Sequence, residues 1–213
     1  MRTLVIGLNL LVLSMVPIQV QANTALDTIK LRITQLFDVL RDPALQGEAA
    51  EELKKEKIWS IFDKTFDYTE FSKRTLSRTW NKLNPNQREE FTELYKALLD
   101  KVYMNRILAY TDQQIVFGKE RALAQNRVEV RSKIVAGSNR TPIHFRMILK
   151  NDQWRVYDVV VEGISLVRNY RSQFKRIIRK ESLEGMFAIL RKKVSKLTSR
   201  LNQRGPGSLA GSS

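Results

Sequence analysis

Residues 154–174 read Trp154-Arg-Val-Tyr-Asp-Val-Val-Val-Glu-Gly-Ile-Ser-Leu-Val-Arg-Asn-Tyr-Arg-Ser-Gln-Phe174, and the apolar period changes within them. From Trp154 to Val161, β-branched and aromatic residues crowd together as a strand requires. Glu162-Gly163 supplies a turn. From Ile164 onward, Ile164, Val167, Tyr170 and Phe174 fall three or four apart, the spacing of one helix face. The segment therefore predicts a strand that turns into a helix.

Working upstream, Ile115–Lys119, Arg127–Val135 and Ile143–Lys150 read as three more strands before Gln153–Val161. Short turn-rich links, Ala136-Gly137-Ser138-Asn139 and Asn151-Asp152, favour an antiparallel meander. In the third strand Ile143, Phe145, Met147 and Leu149 alternate with His144, Arg146 and Lys150, so one sheet face should be covered and the other solvated. The N-terminal half carries helix periods. Leu26, Ile29, Ile33, Leu36, Phe37 and Leu40 form one stripe, ended by Arg41-Asp42-Pro43. A charged helix follows over about 47–63, and a short one from Phe66-Asp67-Tyr68 to about Trp80. Asn84-Pro85 is a start signal, a cap residue before a proline suited to the first turn. From there to about Ala109, Phe91, Leu94, Tyr95, Leu98, Val102 and Tyr103 mark a long helix of ~37 Å. Downstream lie two basic helices, 164–180 and 182–201. The predicted fold is α+β: an N-terminal helical layer packed on a four-stranded antiparallel sheet, with the C-terminal helices packed back.

The ends point to export. Arg2, the apolar run Leu4–Val16 and Val20-Gln21-Ala22 make the three parts of a secretory signal peptide, 1–22, with a run too short to span a membrane. Residues 23–201 are expected to form one domain and 202–213 a disordered tail. The 213 residues contain no cysteine, which excludes disulfides, thiolate metal sites and a cysteine nucleophile. Net charge is +15, of which +10 lies from Gly163 onward, where 12 Lys and Arg face 2 acids. Such a patch suits nucleic acid, anionic lipid headgroups or an acidic protein.

Catalytic chemistry finds little support. His144, the one histidine, falls on the polar face of a strand. No ligand cluster suggests a metal, and no glycine-rich loop or nucleophile elbow is present. Asp158 interrupts an apolar strand. It reads first as a structural acid held by a backbone turn or an arginine, and second as the general base of a small-molecule cavity enzyme. Arg168, Arg171, Lys175, Arg176, Arg179 and Lys180 could follow a phosphate backbone, but Tyr170 is in phase with the packed face and no nucleic-acid motif accompanies them. A basic interaction protein is the third reading.

The Trp154–Phe174 segment closely resembles the signature of the MlaC family, also called the toluene-tolerance family. Weaker likenesses are Phe66-Asp67-Tyr68, the Asn-Pro-x-Gln-x-x-x-Phe start at Asn84, and Tyr95. The resemblance covers about 27–190 and leaves the basic extension beyond Leu190 outside. It implies a soluble, monomeric, non-enzymatic periplasmic phospholipid carrier. It also implies two partners, an inner-membrane ring protein of an ABC transporter and an outer-membrane lipoprotein–porin complex. No cofactor or metal is implied, only phospholipid as cargo. Exposing two acyl chains of ~30 methylenes costs up to ~24 kcal/mol, so the implied apolar cavity must enclose the tails. The candidate lipid-binding residues are Phe66, Phe71, Phe91, Leu94, Tyr95, Leu98, Val102, Phe117, Val130, Phe145, Met147, Trp154, Val156, Val159, Val167 and Tyr170. Any of them could equally fill a core. Arg168 and Arg171 are candidates to meet a headgroup or a partner.

Overall fold

Helix α1 (Ala25–Arg41) begins where the Thr24 hydroxyl accepts from the Asp27 amide at 3.1 Å. Its apolar stripe lies along the sheet, with Ile29 and Leu40 buried. A 3-10 turn at Pro43–Leu45 and another at Glu48–Ala50 lead to α2 (Glu51–Thr65). The computed structural model describes residues 24–110 and 112–203. The expected signal peptide and residues 204–213 of the expected tail lie outside them.

The motif Phe66-Asp67-Tyr68 joins helix to sheet. The Asp67 amide donates to the Val156 carbonyl at 2.9 Å, while its carboxylate caps α3 (Tyr68–Leu76) at the Glu70 amide, 2.8 Å. Lys150 closes the junction from the sheet, 2.6 Å from Asp67 and 3.3 Å from Glu70. A 3-10 stretch, Ser77–Lys82, precedes α4 (Pro85–Leu108). There the Asn84 side chain accepts from the Gln87 amide at 2.9 Å and the Gln87 side chain from the Asn84 amide at 3.0 Å, a reciprocal cap.

The sheet is antiparallel in the order β1 (Gln114–Ala124), β2 (Arg127–Ala136), β3 (Asn139–Lys150), β4 (Gln153–Val161) and β5 (Ile164–Ser165). It has five strands, not the four expected. Glu162 and Gly163 both take positive φ, 50° and 80°, the tight turn whose twist suits a hairpin. The chain is thereby sent back alongside β4, and Val161 pairs Ile164 and Val160 pairs Ser165. Ile164 is thus a strand residue, 62% exposed, and not the first residue of the helix face that its spacing suggested.

Helix α5 (Leu166–Gln203) begins one step later. Its early amides find prepared acceptors: Val167 donates to Asp158 at 3.1 Å and Arg168 to the Ser165 hydroxyl at 3.1 Å. Ser182 breaks α5 at φ 76°, dividing it where the two basic helices were expected to meet. The Ser182 hydroxyl accepts from the Gly185 amide at 3.2 Å and so restarts the helix. A Cβ at Gly185 would stand 2.8 Å from that of Glu181, so only glycine fits without movement. The helix runs to Gln203, two residues into the segment expected to be disordered.

Among the described residues three apolar clusters result. The first is a filled aromatic core among α3, α4 and α5, where the Tyr95 ring meets those of Phe71, Phe91, Tyr170 and Phe174 at 5.2–5.7 Å. The second lies between α1 and the sheet and contains Ile29, Val130, Phe145, Met147 and Val156. The third, around Leu40, Ile58 and Met104, joins α1, α2 and α4.

Candidate functional site: an apolar cavity between helices and sheet

Between the second and third clusters the packing is incomplete, leaving a cavity of about 460 Å³. Helix α1 lines it with Ile29, Arg32, Ile33, Leu36, Phe37 and Leu40, helix α2 with Trp59, Ile61, Phe62 and Thr65. Phe66, Tyr68 and Phe71 enter from the α2–α3 junction, and Leu99, Tyr103, Met104 and Ile107 from α4. The floor is the end of the sheet: Ile115, Ile134, Ile143, Phe145, Val159 and Val161. Exposed Arg106, Glu162 and Ile164 mark the rim. A space walled so largely by hydrocarbon offers water few partners and favours an apolar occupant.

Polar groups in the wall are few. Burial raises the Asp100 carboxyl above its ordinary value, and Lys101, 3.8 Å away, partly offsets this. Burial pushes the Tyr68 phenol well above its usual range, with the acids Asp63, Asp100 and Glu93 adding to the effect. The Tyr68 phenol therefore stays protonated at any physiological pH.

Of the candidate lipid-binding residues, Phe66, Phe71, Phe145 and Val159 border the cavity. The others sit elsewhere. Phe91, Leu94, Tyr95, Leu98, Val102, Val167 and Tyr170 belong to the filled core or pack against it. Val130, Met147 and Val156 are fully buried between α1 and the sheet, with Phe117 and Trp154 packed beside them. The reason is rotational: α4 turns Leu98 toward the aromatic core and Leu99 toward the cavity. The walls from α1 and α2 were missed, although Arg32 falls in phase with Ile29, Ile33 and Leu36, a charge within an apolar stripe that marks an unusual face.

Arg171 donates twice to the Arg74 carbonyl, at 3.0 and 2.7 Å, and so ties α5 to the end of α3. Arg168 is exposed. Neither borders the cavity.

Asp158 is 2% exposed and lies at the end of a ladder of cross-strand partners running Arg121, Glu129, Arg146, Asp158. Arg146 sits 3.1 Å from both Glu129 and Asp158, and Arg121 3.1 Å from Glu129. The Ser165 hydroxyl adds a bond to Asp158 at 2.6 Å. All the acceptor capacity of this carboxylate is thus directed at an arginine and the start of α5, the structural role rather than that of a base. Burial alone would raise the Glu129 carboxyl, but its bonds to Arg146 and Arg121 hold it below the usual range. His144 accepts the Ser132 amide at Nδ1, 3.3 Å, and the Ser132 hydroxyl donates to the Ile143 carbonyl. Among the described residues no group of three or more His, Cys, Asp or Glu could hold a metal. No described helix is long and apolar enough to cross a membrane.

A model of the MlaC protein family matches residues 31–192. The chain belongs to that family. It is 25% identical over 170 residues to the toluene tolerance protein ttg2D of Pseudomonas putida, covering 79% of each chain. To the intermembrane phospholipid transport system binding protein MlaC of Haemophilus influenzae it is 23% identical over 127 residues, 57% of this chain and 59% of the relative. A phospholipid-binding protein of Ralstonia solanacearum, solved in complex with a phospholipid, has the same fold. Its TM-score is 0.73 at 22% identity, over 83% of this chain and 99% of that one. The family match ends at Lys192, so the last turns of α5 lie beyond it.

Proposed function

We propose that this protein is a phospholipid carrier of the periplasm, delivering lipid between an inner-membrane ABC transporter and an outer-membrane complex without chemical turnover. The observation that carries the reading is the apolar cavity, set in a fold whose solved relative from R. solanacearum was obtained with a phospholipid. Family membership supports the same conclusion, since its members are non-enzymatic lipid carriers. At about 30 Å³ for a water-sized group, 460 Å³ seats on the order of fifteen methylenes, roughly one acyl chain. A second chain requires the wall to widen. The half-buried side chains of α1, Ile33, Leu36 and Phe37, are suited to that because they are not locked into a filled core.

Fifteen buried methylenes at ~0.8 kcal/mol each give up to ~12 kcal/mol, enough to keep cargo from leaving spontaneously on a useful timescale. Unloading therefore needs a partner that favours an open form or offers its own apolar path. The exposed Lys175, Arg176, Arg179 and Lys180 on α5 supply charge for docking to acidic surfaces of such partners. The test is transfer of a fluorescent phospholipid between donor and acceptor vesicles. The protein should accelerate transfer in proportion to its concentration, and an absence of acceleration with both membranes and partners supplied would count against a carrier.

A further inference from the structure

We infer that Arg32 is the ligand for the lipid's phosphate, so that the polar head leaves the cavity along α1. The inference rests on the carrier reading and adds a headgroup subsite to it. Arg32 stands inside the apolar stripe of α1 and borders the cavity. Its Nη1 donates to the Gln35 side chain at 3.0 Å, one turn further along, which fixes one edge of the guanidinium. The Nε atom is shielded from solvent and has no acceptor among the described residues. A buried N–H on a charged group without a partner is uncommon, because it has given up hydration for nothing.

Phosphodiester cargo supplies what is missing. Its two non-bridging oxygens match the planar fork of an arginine, and a charged acceptor in a water-poor wall makes a short, strong bond. Arg106 on α4 borders the same cavity, exposed and with no ion pair among the described residues, and adds a second positive charge at the rim. Two acids share the wall, but neither neutralises Arg32: Asp100 faces Lys101 at 3.8 Å, and Glu162 lies exposed in the β4–β5 turn. The tails would then lie toward Phe71, Phe145 and Val159.

The test uses the full chain stripped of lipid, as wild type, Arg32→Leu and Arg32→Lys. Each is titrated with phosphatidylglycerol and with diacylglycerol carrying the same acyl chains, by displacement of a fluorescent lipid. Loss of a charge-assisted bond should weaken phosphatidylglycerol about tenfold in Arg32→Leu and less in Arg32→Lys, leaving diacylglycerol unchanged. Equal loss for both lipids, or loss for neither, overturns the assignment while the carrier reading stands. Wild type that binds neither lipid overturns the carrier reading itself. Inorganic phosphate is tested alone. If it raises the melting temperature of wild type but not Arg32→Leu while lipid affinities are unaltered, the site takes free anion and the headgroup assignment fails. Should Arg32→Leu not fold, Arg32→Gln provides the same comparison with a neutral side chain of similar reach.

Discussion

Replacing Ile143 with tryptophan tests whether the cavity, rather than the aromatic core, holds cargo. Ile143 lies on β3 opposite Val161 and forms part of the cavity floor. The larger ring would project into a space of about 460 Å³ that seats on the order of fifteen methylenes. The added ring volume, about 60 Å³, should exclude roughly two of them, which at ~0.8 kcal/mol each removes ~1.6 kcal/mol of burial. Lipid affinity should fall on the order of 15-fold. Stability of the lipid-free protein should hold or rise, because the ring occupies a void. Leu98→Trp is the counterpart. Leu98 is 1% exposed within the filled core, so overpacking there should cost ~1–3 kcal/mol and leave lipid content unchanged. Phosphate-to-protein ratio after purification and urea unfolding of stripped protein measure the two quantities on each variant. A destabilised Ile143→Trp with full lipid, or an emptied Leu98→Trp of normal stability, would refute the placement of cargo.

Other consequences concern the sheet and the basic helix. Arg146→Leu leaves Glu129 and Asp158 buried without their shared partner and should destabilise by ~3–5 kcal/mol in urea unfolding. Because Glu129 has a lowered pKa in the folded state, its contribution is complete above the ordinary value of ~4.3 and is lost as pH falls through the depressed one. The stability gap between wild type and Glu129→Gln should therefore be constant near pH 6 and shrink below about pH 4. Reversing charge at Lys175, Arg176, Arg179 and Lys180 should slow association with partners and flatten its salt dependence while lipid content stays the same. An emptied pocket with docking unchanged would contradict that separation.

Periodicity made most elements legible. The strand-turn-helix reading of 154–174 placed β4 and its turn, and Asn84-Pro85 placed the start of α4. Strand β5 was not legible, since two residues show no alternation and Ile164 happens to stand in phase with the helix that follows. The division between core and cavity was not legible either. Leu98 and Leu99 are adjacent and identical, yet one meets a wall of interlocked rings and the other an open space. Whether an apolar face is filled depends on how far the opposing elements stand apart, and no local pattern encodes that distance. Arg32, a charge three residues after Ile29 within the α1 stripe, carried a signal that the reading of that stripe passed over. Asp158 was legible as an interruption, and its partners Arg146 and Ser165 came from register and turn geometry.

Native mass spectrometry of the protein, purified gently from a Gram-negative host, tests the central claim most directly. The account predicts a mass increment matching one phospholipid per chain, with fragmentation releasing two acyl chains and a phosphate. The increment should be much reduced in Ile143→Trp and retained in Leu98→Trp. Wild-type protein that is empty under these conditions, or that carries an apolar molecule without a phosphate, would contradict it.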